Sequence, residues 1–273
     1  MKKILIVIPA RYKSSRLPGK PLIKIAGIPM IKRVAQIAEH ICKKIDDCNY
    51  VVATDDERIE NFCYEKDINV TVTATTCRSG TERCFNVVES LTEKPYLIVN
   101  LQGDNPLCPP WFIEQVILEG VKDQKGQVFT PCVNLSWEEL DELRKVKELT
   151  PYSGTTLQIS NSGYALTFSK QILPTIRNEA ELRRQLDKSP VRRHIGLYAY
   201  TYNALENYLK LPPSKYEIPE GLEQMRFIEN EIPVKIIEVD YRNRKGMSGI
   251  DSEEDIQRAE TIIKECGEFD LEL

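Results

Sequence analysis

The chain lacks most of what several common site chemistries require. It has only two histidines, His40 and His194, and none of its eight cysteines forms a Cys-x-x-Cys pair. A zinc cluster of the usual kind is therefore not expected. Met1-Lys-Lys is followed by only five apolar residues before Pro9 and Arg11, too few for a secretory leader. The cysteines (42, 48, 63, 77, 84, 108, 132 and 266) are accordingly expected to be reduced and mostly buried, in a cytoplasmic protein. Cys77 and Cys108 lie near candidate site loops, but neither has a base beside it in sequence, which favours packing over nucleophilic work. No apolar run approaches a membrane span. Repeats, low-complexity tracts and linkers are missing. So is the Gly-x-x-x-x-Gly-Lys-[Ser/Thr] loop of the P-loop nucleotide-binding proteins. The net charge of −4 argues against a nucleic-acid partner. The 273 residues, 41% hydrophobic and 29% charged, allow one large or two modest soluble domains with ample core.

What is present begins at residue 4. Ile4 to Ile8 is apolar and β-branched, and Pro9 bounds it, so it reads as a buried strand. The loop that follows carries Arg11, Lys13, Arg16 and Lys20, with Ser14, Ser15 and Gly19 among them. Loops at the carboxyl ends of strands are where open α/β sheets bind ligands. Four cations with small residues between them suit a polyphosphate: guanidinium forks match its oxygens, and small side chains let backbone N–H groups approach.

Further along, helical spacing runs from Met30 to Ile41, a short strand covers Tyr50–Ala53, and a capped helix covers about Asp56 to Lys66. Asn69–Thr73 reads as strand, Ser79 to Leu91 as helix, and Tyr96–Leu101 as a strand ending in Gln102-Gly-Asp-Asn-Pro106. Pro110–Val121 is helical and Gln127–Val133 strand-like. This alternation predicts an α/β fold with a doubly wound, mostly parallel sheet, Rossmann-like over the first half. After about residue 134 the pattern changes to a smaller mixed β subregion. It holds an acidic helix (Trp137–Val146), a hairpin (Thr155–Ile159 and Tyr164–Phe168, turning at Asn161-Ser-Gly163), a charged exposed excursion (Leu173–Pro190) and a strand over His194–Tyr202. Helices over about Ala204–Leu211 and Gly221–Glu229, a strand over Val234–Val239 and a C-terminal helix from about Glu253 to Lys264 complete the chain. A single domain is expected, with 1–133 mainly nucleotide-binding and 134–248 mainly for a second substrate and a dimer contact.

Two carboxylates stand out. Asp104 follows the apolar strand at a Gly turn, well placed for a divalent metal, although Gly-Asp is by itself a common turn former. Asp251 opens the last helix, where it is either a second metal ligand or the N-cap, a role that Ser252 also fits. If both face the cations of the first loop, the three elements make a site for a metal–triphosphate complex.

With these residues in place, a family resemblance is visible. The run Ile8-Pro-Ala-Arg-Tyr-x-Ser-x-Arg-Leu-Pro-Gly-Lys-Pro-Leu22 resembles the signature of the 3-deoxy-manno-octulosonate (Kdo) cytidylyltransferases, or CMP-Kdo synthetases. Further matches follow in order: Val52-Ala-Thr-Asp55, Ser79-Gly-Thr-Glu-Arg83, Val99-Asn-Leu-Gln-Gly-Asp104, Gly163-Tyr-Ala-Leu166, Phe168-Ser169, Arg193-His-Ile-Gly-Leu-Tyr198, Leu222-Glu-Gln-Met-Arg226 and Gly249-Ile-Asp251. The resemblance implies transfer of CMP from CTP to the anomeric hydroxyl of a 3-deoxy-2-ulosonic acid, with release of pyrophosphate, for lipopolysaccharide or capsule synthesis. It implies a nucleotide-diphospho-sugar transferase-like fold and a homodimer. Ala10, Arg11, Ser14, Arg16 and Lys20 would then meet the triphosphate, with Arg16, Lys20 and Asp104 carrying the catalysis. Arg78, Ser79, Gly80 and Gln102 would contact the nucleoside, and Asp104 and Asp251 would hold Mg²⁺. His194, Tyr198, Glu223 and Gln224 would line the sugar-acid site. From spacing alone, His194 reads as an ordinary strand histidine and Glu223 as a solvated helix charge.

The chain departs from the family pattern in three places. Asn105 stands where the family usually has Glu, Lys170 where it has Arg, and Ser153-Gly-Thr-Thr156 where it has Asn-x-Val-Lys. An Arg to Lys change loses a bidentate fork. All three are expected near the sugar acid, which makes a variant acceptor such as 8-amino-Kdo an expectation. Other acidic acceptors, a nonulosonic acid or a phosphonate, and a non-catalytic nucleotide-binding regulator are the alternatives.

Overall fold

The computed structural model describes residues 2–13, 16–247 and 249–271. It begins with strand β1 (Ile4–Ala10), a single 3-10 turn at Lys20–Leu22 and a two-stranded ribbon of β2 (Lys24–Ile25) and β3 (Ile28–Pro29). Helix α1 (Met30–Lys44), β4 (Cys48–Thr54), α2 (Glu57–Glu65), β5 (Val70–Val72), α3 (Gly80–Glu89) and β6 (Leu97–Leu101) follow. Then come α4 (Pro110–Lys122), β7 (Val128–Ser136), α5 (Trp137–Leu149), β8 (Thr156–Ile159), β9 (Ala165–Ser169) and α6 (Glu179–Gln185). The chain closes with β10 (Lys188–His194), β11 (Leu197–Thr201), α7 (Tyr202–Lys210), α8 (Glu217–Glu220), α9 (Met225–Glu229), β12 (Val234–Glu238) and α10 (Glu253–Cys266).

The large sheet runs β5-β4-β1-β6-β11-β7-β10-β8-β9, with β12 beside β7. Strands β5, β4, β1 and β6 pair in parallel. Strand β11 is antiparallel to both β6 and β7, β12 is parallel to β7, and β10, β8 and β9 alternate beyond it. Counting directions along these pairings, β11, β10 and β9 oppose the other seven strands. The sheet is therefore mostly parallel in direction, with its antiparallel pairings confined to the second half, as the change of pattern after residue 134 predicts.

The local reasons are legible. Strand β1 is buried on both faces, which matches its unbroken apolar run. The apolar face expected on α1 is the buried one: Met30, Ile31, Val34, Ile37, Ala38 and Ile41 are all essentially inaccessible. Ser136 caps α5 in a reciprocal box with Glu139.

Three expectations need correction. The 173–190 stretch is not simply an exposed excursion. Glu179 pairs with Arg144 and Arg183, Arg183 lies 4.7 Å over the Trp137 ring, and Ser189 is buried within β10. Paired charges, invisible to hydrophobic spacing, hold that segment down. The strand expected over 194–202 is two strands, β10 and β11, joined through Ile195-Gly196 as the chain moves from one side of β7 to the other. The helix expected over 221–229 is confined to α9 (Met225–Glu229), because α8 ends before it at Gly221, whose φ of +61° breaks the helical path.

Candidate functional site

After β1 the chain crosses outward to β4 and β5 and then returns to β6 on the opposite side of β1. The carboxyl ends of β1 and β6 thus flank the point where the strand order reverses, the place where such sheets form a crevice. A cleft of about 440 Å³ opens there. Its walls come from both sides: Ala10, Arg11, Arg16 and Lys20 after β1, Gln102 and Asp104 after β6, and Arg78, Ser79 and Gly80 at the start of α3. Lys13, Pro21, Gly103 and Glu223 also line it.

Glycine permits this convergence in two places. A Cβ on Gly103 would lie 2.6 Å from the Pro9 carbonyl oxygen, so the two strand ends meet only because there is none. A Cβ on Gly249 would press on the Asp104 carboxylate at 3.0 Å. The Ile250 amide N–H then donates to the Asp104 carbonyl (2.8 Å), which ties the distant loop before α10 to the β6 turn.

Asp251 does not take the helix cap. Ser252 is the N-cap of α10, in a reciprocal box with Asp255. Asp251 is thereby left outside the helix. Lys20 Nζ donates to Asp104 Oδ2 (2.7 Å), to the Ile250 carbonyl (2.8 Å) and to Asp251 Oδ1 (3.2 Å). Arg16 reaches Asp251 Oδ2 at 3.2 Å. Two carboxylates and a carbonyl, residues far apart in sequence, thus surround one cation. Such a set of hard oxygen donors would suit a divalent cation such as Mg²⁺.

The residues expected at the nucleoside sit at and beside the α3 N-terminus. Ser79 caps the helix by accepting from the Glu82 N–H (3.1 Å), which leaves its own hydroxyl proton to donate elsewhere. The Glu82 carboxylate accepts from the Arg78 N–H, and the exposed Arg78 lines the cleft. Arg11 donates to the Cys77 carbonyl (2.6 Å), which fixes the loop leading into α3. The amide of Gln102 donates to Asn100 Oδ1 (2.8 Å) and lies against Gly80.

Of the second-substrate candidates, Glu223 lines this cleft, and His194 and Tyr198 pack against each other to form an aromatic wall. His194 Nε2 lies 2.8 Å from Thr130 Oγ1, and its ring stands edge-on to Phe168 and beside Tyr198. Desolvation in this aromatic surround and the nearby Lys170 ammonium pull the imidazole down to about 3. At neutral pH the ring is therefore uncharged. Burial and Glu223 keep the Tyr198 phenol protonated. Glu223 is exposed on the cleft and accepts from Thr81 Oγ1 (2.8 Å), so it joins this wall to the nucleotide side. The side chain of Gln224 is buried behind it.

Ser14 lies outside the described residues. Asn105 is the first of the three departures. It is buried in the turn behind Asp104, with its Oδ1 unpartnered. Lys170 is near the wall, half-buried, with burial lowering its ammonium pKa. Thr156 spends its hydroxyl on the Gln171 carbonyl and the Leu173 N–H. Lys147, given no role by the sequence reading, donates to the carbonyls of Ser153, Gly154 and Lys170. Its ammonium thus stands in the neighbourhood where the family pattern has a lysine.

Arg83 was also missed beyond its place in a motif. It is fully buried in α3, donates to Thr73 Oγ1 and pairs with Asp55 at 3.3 Å. It ties the ends of β4 and β5 to the helix that presents Ser79 and Gly80. A buried arginine inside a Ser-Gly-Thr-Glu-Arg run was its only sequence signal. Burial raises the thiol pKa of Cys77, and that of Cys108 to about 12, which supports packing roles for both.

Among the described residues no helix is long and apolar enough to cross a membrane. A family model described as Cytidylyltransferase matches residues 5–237. The 3-deoxy-manno-octulosonate cytidylyltransferase of Maricaulis maris is 40% identical, covering 97% of this chain and 99% of its own. The mitochondrial 3-deoxy-manno-octulosonate cytidylyltransferase of Arabidopsis thaliana is 33% identical, covering 96% of this chain and 84% of its own. A solved structure of CMP:2-keto-3-deoxy-manno-octonic acid synthetase complexed with CTP superposes with a TM-score of 0.82 at 31% identity, covering 96% of this chain and 99% of the other. The ordered motifs, the fold and these relatives agree, and the chain belongs to the 3-deoxy-manno-octulosonate cytidylyltransferase family.

Proposed function

We propose that this protein activates Kdo, or a close 3-deoxy-2-ulosonic acid analogue, with CTP to give the CMP-sugar and pyrophosphate, in a Mg²⁺-dependent reaction that serves lipopolysaccharide or capsule synthesis. The observation that carries the reading is the meeting of Lys20, Asp104 and Asp251 at the mouth of a cation-lined cleft. In the reaction the anomeric oxygen of the sugar acid bonds to the α-phosphorus of CTP. The bond from that phosphorus to the bridging oxygen breaks, and pyrophosphate leaves with it.

Catalysis of this kind is positioning plus electrostatics. Lys20, Arg16, Lys13 and Arg11 face the developing charge from the β1 loop. Ser79, Gly80, Arg78 and Gln102 hold the base and ribose. Asp104 and Asp251 would hold Mg²⁺, which supplies charge stabilisation to the phosphoryl oxygens when bound. His194, being neutral, orients the acceptor as a hydrogen-bonding group without carrying charge. Tyr198 and Glu223 face the same substrate, and the buried Gln224 backs them.

Lys170 and the Lys147 clamp place two positive charges, with the Glu220 carboxylate near them, beside this wall, which suits an acidic acceptor. They give no reason to prefer an amino-sugar, so Kdo itself stays in the panel with its 8-amino analogue. We also carry forward a homodimer: Leu149, Tyr152 and Leu166 are large apolar side chains left exposed in the second half. A mass in light scattering equal to one chain would refute that.

The test is pyrophosphate release from CTP with Kdo, 8-amino-Kdo, a nonulosonic acid and no acceptor, each with and without Mg²⁺. Acceptor-dependent release is expected, largely lost without Mg²⁺ and in Asp104→Ala. Turnover within a few-fold of wild type in Asp104→Ala refutes the metal assignment. No release with any acceptor favours the regulator reading.

A further inference from the structure

We infer that Lys20 occupies the metal position until nucleotide arrives, so that the two carboxylates admit a divalent ion only together with the triphosphate. This rests on the proposed reading of Asp104 and Asp251 as metal ligands. Three features lead to it. The first is stoichiometry. An ammonium has three protons, and Lys20 spends all of them on Asp104, the Ile250 carbonyl and Asp251. Its side chain is the least exposed of the three, 12% against 34% and 48%, so the charge lies in the angle between the carboxylates. A divalent ion sits about 2.1 Å from carboxylate oxygens. Bound to these same oxygens it would take the space that the ammonium fills, against like charge.

The second feature is that the carboxylate side is held in place. The backbone at Gly249 runs so close to the Asp104 carboxylate that a Cβ there would lie 3.0 Å from it, and the Ile250 N–H holds the Asp104 carbonyl. The site cannot easily make room for a metal by turning its acids away. The third is that the lysine can leave. Its backbone is anchored by the 3-10 turn, with Gly19 at φ +73° and Pro21 buried. Its four-carbon stem is not, and the other cations of the cleft show where anionic oxygens belong. When a triphosphate enters, Lys20 exchanges its carboxylates for phosphate oxygens, and the acids are freed for the metal. The coupling is reciprocal by linkage: whatever nucleotide adds to metal affinity, metal adds to nucleotide affinity.

The experiment is binding of Mn²⁺, followed by its electron paramagnetic resonance, to the full chain without nucleotide. Wild type is expected to bind weakly. Lys20→Met, which keeps the stem and removes the charge, is expected to bind at least tenfold more tightly, and adding Asp104→Asn should erase that gain. Lys20→Gln serves the same purpose, and a larger Mn²⁺-induced rise in melting temperature than in wild type gives an independent readout. Unchanged Mn²⁺ affinity in both Lys20 variants overturns the inference. A tight site that ignores Asp104→Asn overturns instead the metal reading beneath it.

Discussion

Substituting Gly103 by alanine tests how closely the two halves of the cleft must meet. The added Cβ would stand 2.6 Å from the Pro9 carbonyl oxygen and 3.6 Å from the Ala10 Cβ. Carbon–oxygen contacts normally open at about 3.3 Å, so the strand ends must part by roughly 0.7 Å. The Pro9 carbonyl belongs to backbone held by the β1–β4 pairing, so it cannot turn aside. Overpacking of this kind costs about 1–3 kcal/mol. At roughly 2–4 °C per kcal/mol for a chain of this size, the melting temperature should fall by several degrees. The larger effect is on turnover. Parting the strand ends moves Asp104 and Gln102 away from the β1 cations, and misplacement by about 1 Å costs on the order of a hundredfold in rate. Turnover of CTP with Kdo is expected to drop at least tenfold. Gly196→Ala is the control, since nothing lies within 4 Å of its Cβ. A Gly103→Ala protein with wild-type melting and turnover within twofold would refute the close-approach argument.

Two further predictions follow from buried groups. Arg83→Met removes the tie between Asp55, Thr73 and α3. Breaking a buried pair costs about 3–5 kcal/mol, less here because Asp55 is partly hydrated, so a loss of about 2 kcal/mol and a raised KM for CTP are expected, with partial rescue by Arg83→Lys. Unchanged melting and KM would show that α3 stands without it. For His194, the folded ring lies at about 3 against an ordinary value of 6.5, so its contribution to stability is complete above 6.5 and is lost as pH falls toward 3. Proton NMR should show one of the two imidazoles unchanged between about pH 8 and pH 5, and His194→Gln should flatten the acid slope of stability. A His194 ring that titrates near 6.5 would put a charge in the acceptor wall and refute its neutral role.

Much of the cleft was legible because its parts are local. A strand end followed by four cations, a Ser-Gly helix start and a Gly-Asp turn each carry their chemistry within a few residues. Charge pairing across segments was not. The 173–190 stretch read as exposed because Glu179, Arg144, Arg183 and Asp141 look solvated one at a time and are satisfied only together.

The sequence by itself determined a polyphosphate-binding loop and the first half of the fold, because hydrophobic period, caps and phosphate-binding residues act over short separations, and its ordered motifs carried the family resemblance that implies the reaction. Only the tertiary structure took the helix cap away from Asp251 and set its carboxylate against Lys20. In sequence it was an acid beside a helix start, with Ser252 competing for the cap. The fold brings residue 251 across to residue 20, gives the cap to Ser252, and leaves both carboxylates around one lysine. Contacts over 231 positions depend on how the sheet brings its strand ends and loops together, which no local pattern encodes.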